Sequence, residues 1–152
     1  MTFVEAAKAP LLNYADFSGR SGRREFWSFS LAVSIALGCL IGLAFVALEI
    51  AEYASGFPAV TVALAVVAVV FIALYLLVLV MLITPWVAVC VRRLHDTNRG
   101  GDWLLVAFVP FGGLVVLSFL AAAGDSGPND YGPNPSAPAT TSRAAPDARA
   151  GQ

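Results

Sequence analysis

Charge is what this sequence has least of. Lys, Arg, Asp and Glu together supply 12% of its 152 residues, whereas 59% are hydrophobic. An ordinary soluble domain is about 25% charged and about 45–50% apolar. So little charge excludes a domain that keeps a hydrated surface around one core, and points to lipid as the solvent. Cysteine and histidine are also scarce. Cys39 and Cys90 both sit in apolar runs without CxxC spacing, and His95 is the only histidine, so neither a zinc site nor a redox pair is indicated. No cofactor, metal or nucleic-acid partner is expected. A disulfide is not expected either, because one cysteine falls mid-membrane and the other near a membrane face.

Long apolar runs are what the sequence does have. Trp27 to Ile50 is 24 residues with Glu49 as its only charge, above the roughly 20 that cross hydrocarbon as a helix. It starts too late and runs too long for the apolar core of a cleaved signal, so it reads as a retained span. Ser30, Ser34, Gly38 and Gly42 recur in it every fourth residue, a stripe of small side chains suited to close helix packing. Ala59 to Cys90 is 32 uncharged residues, about 48 Å as a helix against a hydrocarbon core of about 30 Å. One tilted or broken span over 59–86 is predicted. Pro85 lacks an N–H and crowds the Met81 carbonyl, which predicts a kink or helix end near Thr84. Trp103 to Ala123, with Pro110, Gly112 and Gly113, predicts a third, bent span.

Residues 1–26 interleave Phe3, Val4, Leu11, Leu12, Tyr14 and Phe17 with polar residues, a short amphipathic segment able to lie on a membrane surface. Residues 124–152 are rich in Gly, Pro, Ala and Ser, and beyond Pro135 disorder is expected. The fold class expected is therefore an all-α integral membrane protein. It has three transmembrane helices (27–50, 59–86, 103–123) within a membrane domain over 27–123, an amphipathic N-terminal segment and a disordered C-terminal tail. Seven of the nine Lys/Arg residues lie either before the first span (Lys8, Arg20, Arg23, Arg24) or between the second and third (Arg92, Arg93, Arg99). Positive charge beside a span is retained in the cytoplasm. The N terminus and second loop are thus expected inside and, after three crossings, the C terminus outside. All three tryptophans, Trp27, Trp86 and Trp103, then fall at the cytoplasmic interface.

Most of the distinctive polar chemistry gathers in three places: Gly19-Arg20 with Arg23-Arg24-Glu25-Phe26-Trp27, then Arg92-Arg93-Leu94-His95-Asp96, then Gly127-Pro128-Asn129-Asp130-Tyr131-Gly132-Pro133-Asn134-Pro135. In these motifs, and in their order around the spans, the sequence over Asn13 to Pro135 resembles the bacterial inner-membrane family catalogued as domain of unknown function 805. It departs at Gly100, where that family often has Ser, and at Asp102, where a second aromatic is common. The resemblance implies a multi-pass inner (plasma) membrane protein and no particular activity.

The candidate site is the arginine-rich face: Arg20, Arg23, Arg24, Arg92, Arg93, His95 and Asp96. Three readings are open. The arginines set orientation and pair with Asp16, Glu25, Asp96 or Asp102. Alternatively, they bind an anionic headgroup or another phosphate-bearing ligand. In the third, His95 with Asp96 acts as a general acid or base, although adjacent residues rarely face each other and no Ser, Cys or metal-ligand set accompanies them. The function expected is association, with anionic lipid, with a second copy or with another membrane protein. A membrane-embedded enzyme or transporter subunit using Arg92 to Asp96 is the alternative. On the three-span layout the arginine loop and the Asn129 to Pro135 motif lie on opposite faces, with Val87 to Arg93 forming a short stalk.

Overall fold

The computed structural model describes residues 2–137. The described chain is helical: α1 (Phe3–Leu12), α2 (Arg23–Tyr53), α3 (Pro58–His95), a 3-10 helix (Gly101–Phe108) and α4 (Gly112–Ala121). It divides into two units whose boundaries fall inside α2 and α3. One unit comprises residues up to Tyr14 and Trp27–Trp86; the other comprises Ala15–Phe26 and the chain from Val87 onward.

In the first unit, α1 begins with a capping box. The Glu5 N–H donates to Thr2 Oγ1 (3.2 Å) and the Thr2 N–H donates to Glu5 Oε2 (2.7 Å), which satisfies two amides that lack helical partners. Among the described residues two helices are long and apolar enough to cross a bilayer, α2 with 31 residues and α3 with 38. Pro58 opens α3 at its first position, where a missing N–H is harmless. Between the two helices, Phe57 donates from its N–H, and Thr61 from its hydroxyl, to the Ala54 carbonyl. On α2 the buried small residues are Ser28, Ala44, Ala47 and Ala51. The predicted stripe is more open: Ser34 and Gly38 are exposed, and a Cβ added at Gly38 or Gly42 would meet nothing within 4 Å.

Of the kink or helix end expected near Thr84, the helix end is not found: α3 runs through Pro85 to His95. The reason lies at Met81, whose carbonyl loses its helical partner because Pro85 has no N–H. The Tyr14 hydroxyl donates to that carbonyl at 2.5 Å, so the break in the ladder is satisfied from outside the helix, as lipid surroundings require.

In the second unit, α3 closes with Asn98 in the left-handed region (φ 54°). The Arg99 N–H reaches back to the Leu94 carbonyl at 3.0 Å. This closure suits Asn, whose short polar side chain tolerates that conformation. The apolar run after it does not form one continuous spanning helix. The 3-10 helix stops at Phe108, Val109 to Gly112 make a turn, and α4 starts afresh. Pro110 supplies the fixed φ of the second turn position, Phe111 takes φ 63° and ψ −5°, and the Gly112 N–H closes on the Val109 carbonyl at 2.8 Å, the geometry of a type II turn. Gly112 is required here, since a Cβ would fall on the Val106 carbonyl oxygen. The 3-10 helix and α4 thus pack as the two arms of a hairpin. Just past Pro135, Ser136 and Ala137 bond to Asn134; the rest of the segment for which disorder is expected lies outside the described residues.

The carbonyl capping at Met81 is checked by a double-mutant cycle on thermal unfolding in detergent. Tyr14→Phe is expected to lower stability by about 0.5–1.5 kcal/mol in the native sequence. The same change in a Pro85→Ala background, where the alanine N–H restores the helical bond, is expected to have little effect. Equal losses in both backgrounds would refute the link.

Candidate functional site

The arginine-rich face is assembled from three segments of the second unit: the entry to α2, the end of α3 and the chain after α4. Its centre is Asp96. Arg20 donates from Nε (3.0 Å) and Nη2 (2.8 Å) to Oδ1 of Asp96, while Arg93 donates from Nη1 to Oδ2 at 2.5 Å. The side chains of Arg20, Arg93 and Asp96 are 1%, 0% and 6% exposed. Burial at that level is tolerable only where charges are paired and donors satisfied.

Arg20 meets the condition in full. Besides the carboxylate, its Nη2 donates to the Asp125 carbonyl (2.6 Å), and its Nη1 to the carbonyls of Gly127 (2.7 Å) and Gly132 (3.2 Å). All five guanidinium hydrogens are therefore engaged. Arg93 is held similarly, with Nε on the Leu120 carbonyl (3.0 Å) and Nη2 on the Ala122 carbonyl. The Asp125 N–H donates to the Asp96 main-chain carbonyl at 2.8 Å. Gly124 permits this approach, since a Cβ there would fall on the Asp96 carboxylate.

His95 and Asp96 do not form a dyad. The His95 Nδ1 lies 3.0 Å from the Gly19 carbonyl, which can only accept, so Nδ1 carries the proton. The His95 ring stacks on Tyr131 at a centroid separation of 3.8 Å and an interplanar angle of 7°. Asn129 ties the same helix end, donating to the His95 carbonyl at 2.8 Å, while its own side-chain oxygen accepts from the Tyr131 N–H at 3.0 Å.

Arg92 pairs with Glu25 at 3.3 Å, both largely buried. Its Nε and Nη2 have no hydrogen-bond partner among the described residues. Arg99 lies over the Phe119 ring at 4.1 Å, and Trp103 meets that ring edge-on. Asp16 was another possible ion-pair partner for the arginines. It accepts instead from the hydroxyl and N–H of Ser18, which hold its carboxyl below the usual carboxylate range.

Arg23 and Arg24 differ from the rest. Arg23 donates to the Ala122 carbonyl (2.9 Å), and among the described residues neither it nor Arg24 forms an ion pair. Both line a cleft of about 460 Å³ with Asp125, Ser126, Asn134 and Ser136. Asp96 touches the cleft too, already neutralised by its two arginines.

The seven residues singled out in the sequence thus sort into a buried core (Arg20, Arg92, Arg93, His95, Asp96) and a cleft wall (Arg23, Arg24). The expected stalk is helical, but its polar end is buried rather than presented. The expectation that the Asn129 to Pro135 motif lies on the opposite face is overturned by the hydrogen bonds from Arg20 and Asn129. The physical reason is that the third apolar run doubles back at Pro110. The main-chain acceptors at Leu120, Ala122, Asp125, Gly127 and Gly132 carry no side-chain signal and were not foreseeable.

Replacing Asp96 by Asn leaves two buried guanidinium ions without a counter-charge. A loss of about 3–5 kcal/mol is expected, against less than about 0.5 kcal/mol for Arg24→Gln, both read as thermal stability in detergent. An Asp96→Asn protein that unfolds with the native one would show that the shared carboxylate does not hold the face together.

The sequence matches the family described as "Protein of unknown function (DUF805)" over residues 14–133. It is 38% identical to inner membrane protein YhaI of Escherichia coli K12 over 128 residues, which is 82% of this chain and 90% of YhaI. To inner membrane protein YhaH of the same strain it is 36% identical over 126 residues, 82% of this chain and 91% of YhaH. No solved structure matches. The matched region contains every side chain of the Arg20–Asp96–Arg93 network and the C-terminal motif as far as Pro133, and the chain belongs to the DUF805 family.

Proposed function

We propose that this bacterial inner-membrane protein binds an anionic phospholipid headgroup in the cleft walled by Arg23 and Arg24, with the N terminus and the arginine loop on the cytoplasmic side. The observation that carries the reading is the contrast within one face. Arg20 and Arg93 are consumed by Asp96 and by main-chain carbonyls, and Arg92 is buried against Glu25, whereas Arg23, bonded to the Ala122 carbonyl, and Arg24 line an open cleft without an ion pair among the described residues. Two arginines sharing one carboxylate also leave the buried cluster with an excess positive charge beside that cleft. A phosphodiester is complementary to it, and guanidinium forks suit its oxygens. Arg23 and Arg24 precede the apolar part of α2 and Trp27, the position of the headgroup layer. The charge partition supports the orientation. An acid–base function at His95 is disfavoured, because its ring and the Asp96 carboxylate are bound to different partners.

Near-surface cations contribute about 1 kcal/mol each to anionic-lipid binding. Arg23→Gln/Arg24→Gln is therefore expected to weaken phosphatidylglycerol retention roughly thirtyfold. The check is native mass spectrometry of the full chain in detergent, with phosphatidylcholine as the neutral control and inorganic phosphate as competitor. Unchanged retention, or retention equal for both lipids, refutes the reading; displacement by millimolar phosphate would identify a soluble ligand instead.

A second reading, self-association through α2, is favoured by the open stripe at Ser34, Gly38 and Gly42. Gly38→Ile/Gly42→Ile is expected to abolish energy transfer between differently labelled copies in liposomes, while substitution of the exposed Leu43, on the opposite side of α2, leaves it intact. Transfer that survives the double glycine change excludes this stripe.

A further inference from the structure

We infer that residues 101–121 form a re-entrant hairpin that enters one leaflet and returns to the face it left, with the acyl chains of that leaflet as its partner. The arms match in length. The 3-10 helix of eight residues rises about 16 Å and the ten residues of α4 about 15 Å, each about half the hydrocarbon thickness of about 30 Å. Neither arm crosses by itself, and the turn between them falls near the bilayer centre.

Both ends are fixed at one level. The first arm starts at Gly101 against Val91, one turn before the end of α3. The second ends where Arg93 takes the Leu120 carbonyl and Arg23 and Arg93 take that of Ala122. Arg99 over Phe119 and Trp103 edge-on to the same ring join the two arms near this level. A spanning helix would separate its ends by the full hydrocarbon thickness, and Arg20 could not then hold the carbonyls of Asp125, Gly127 and Gly132.

What lies between the ends is apolar and open. Leu105, Phe108, Val109, Phe111 and Leu114 are 58–88% exposed, and no charged residue occurs from Trp103 to Ala123. Water is a poor solvent for such a patch, whereas acyl chains match it. The turn is also equipped for hydrocarbon. The N–H groups of Val109, Gly112 and Leu114 bond to carbonyls within the hairpin, and Pro110 has no N–H to satisfy.

The test has two arms, both on the full chain in bacterial membranes. Reporters active on only one side of the membrane are inserted after Asn98 and after Ala137. The same side is expected for both, and opposite sides would establish a third crossing and overturn the hairpin. Depth is then read from a fluorophore at Phe111→Cys in a Cys39→Ser/Cys90→Ala background. Quenching by lipids brominated along the acyl chain, with protection from aqueous iodide, is expected. The reverse pattern would place the tip in water and overturn the inference even if the reporters agree. This proposal stands independently of headgroup binding, since an inserted hairpin and an empty cleft are compatible results.

Discussion

One carboxylate organises the polar half of this protein. Asp96 sits just past the end of α3 and divides its two oxygens between Arg20, from the segment before α2, and Arg93, from the helix itself. Each ion is buried, so each must find partners for every remaining polar atom, or the desolvation penalty exceeds the attraction between them. That requirement recruits main chain. Arg20 and Arg93 between them draw on the carbonyls of Leu120, Ala122, Asp125, Gly127 and Gly132. The path of the chain after α4 is in this sense fixed by guanidinium hydrogens that nothing else satisfies. Gly124 belongs to the same constraint, being the place where main chain passes too near Asp96 to carry a side chain.

The same accounting governs the apolar half. Lipid offers no replacement for a missing hydrogen bond, so a proline in a long helix demands an external donor. Tyr14 provides it, sixty-seven residues away in sequence from Met81. The turn at Pro110 is the complementary case, in which the proline sits where no N–H is needed and neighbouring amides close the turn locally. Two prolines in apolar runs therefore have opposite consequences. One is absorbed into a continuous helix and the other reverses the chain, and the residues C-terminal to each make the difference. After Pro85 come residues suited to helix, whereas Pro110 precedes Phe111-Gly112, where glycine admits a close approach that Ala or Leu would forbid.

This explains what the sequence made legible and what it did not. Span existence followed from length and absence of charge: α2 and α3 contain the first two predicted runs and extend beyond them at both ends. The membership of the polar face was readable as well, since Arg20, Arg92, Arg93, His95 and Asp96 recur as motif residues and do come together. The roles within it were not. Whether an arginine is buried or lines a cleft depends on carbonyls that any residue could supply, and side-chain identity is silent about these. The third run misled for the same reason. By length and composition 103–123 is a span, and only the turn geometry at Pro110-Phe111-Gly112 and the carbonyl demand of Arg20 reveal that it returns.

That return changes the meaning of the C-terminal motif. On a three-span layout Asn129 and Tyr131 would be turn formers remote from the arginines. In the structure Asn129 ties the carbonyl of His95 and Tyr131 covers the His95 ring, so the motif is the lid of the buried ion cluster. The motif's carbonyls at Gly127 and Gly132 help to bury the Arg20 guanidinium, and burial raises the strength of its charge interaction with Asp96. The same arrangement leaves Arg23 and Arg24 lining the cleft without an ion pair among the described residues, because the Asp96 and Glu25 carboxylates are taken by Arg20, Arg93 and Arg92. The separation of a buried, ion-paired cluster from two arginines that line a cleft is thus a consequence of the fold, and it is the arrangement on which the proposed headgroup site rests.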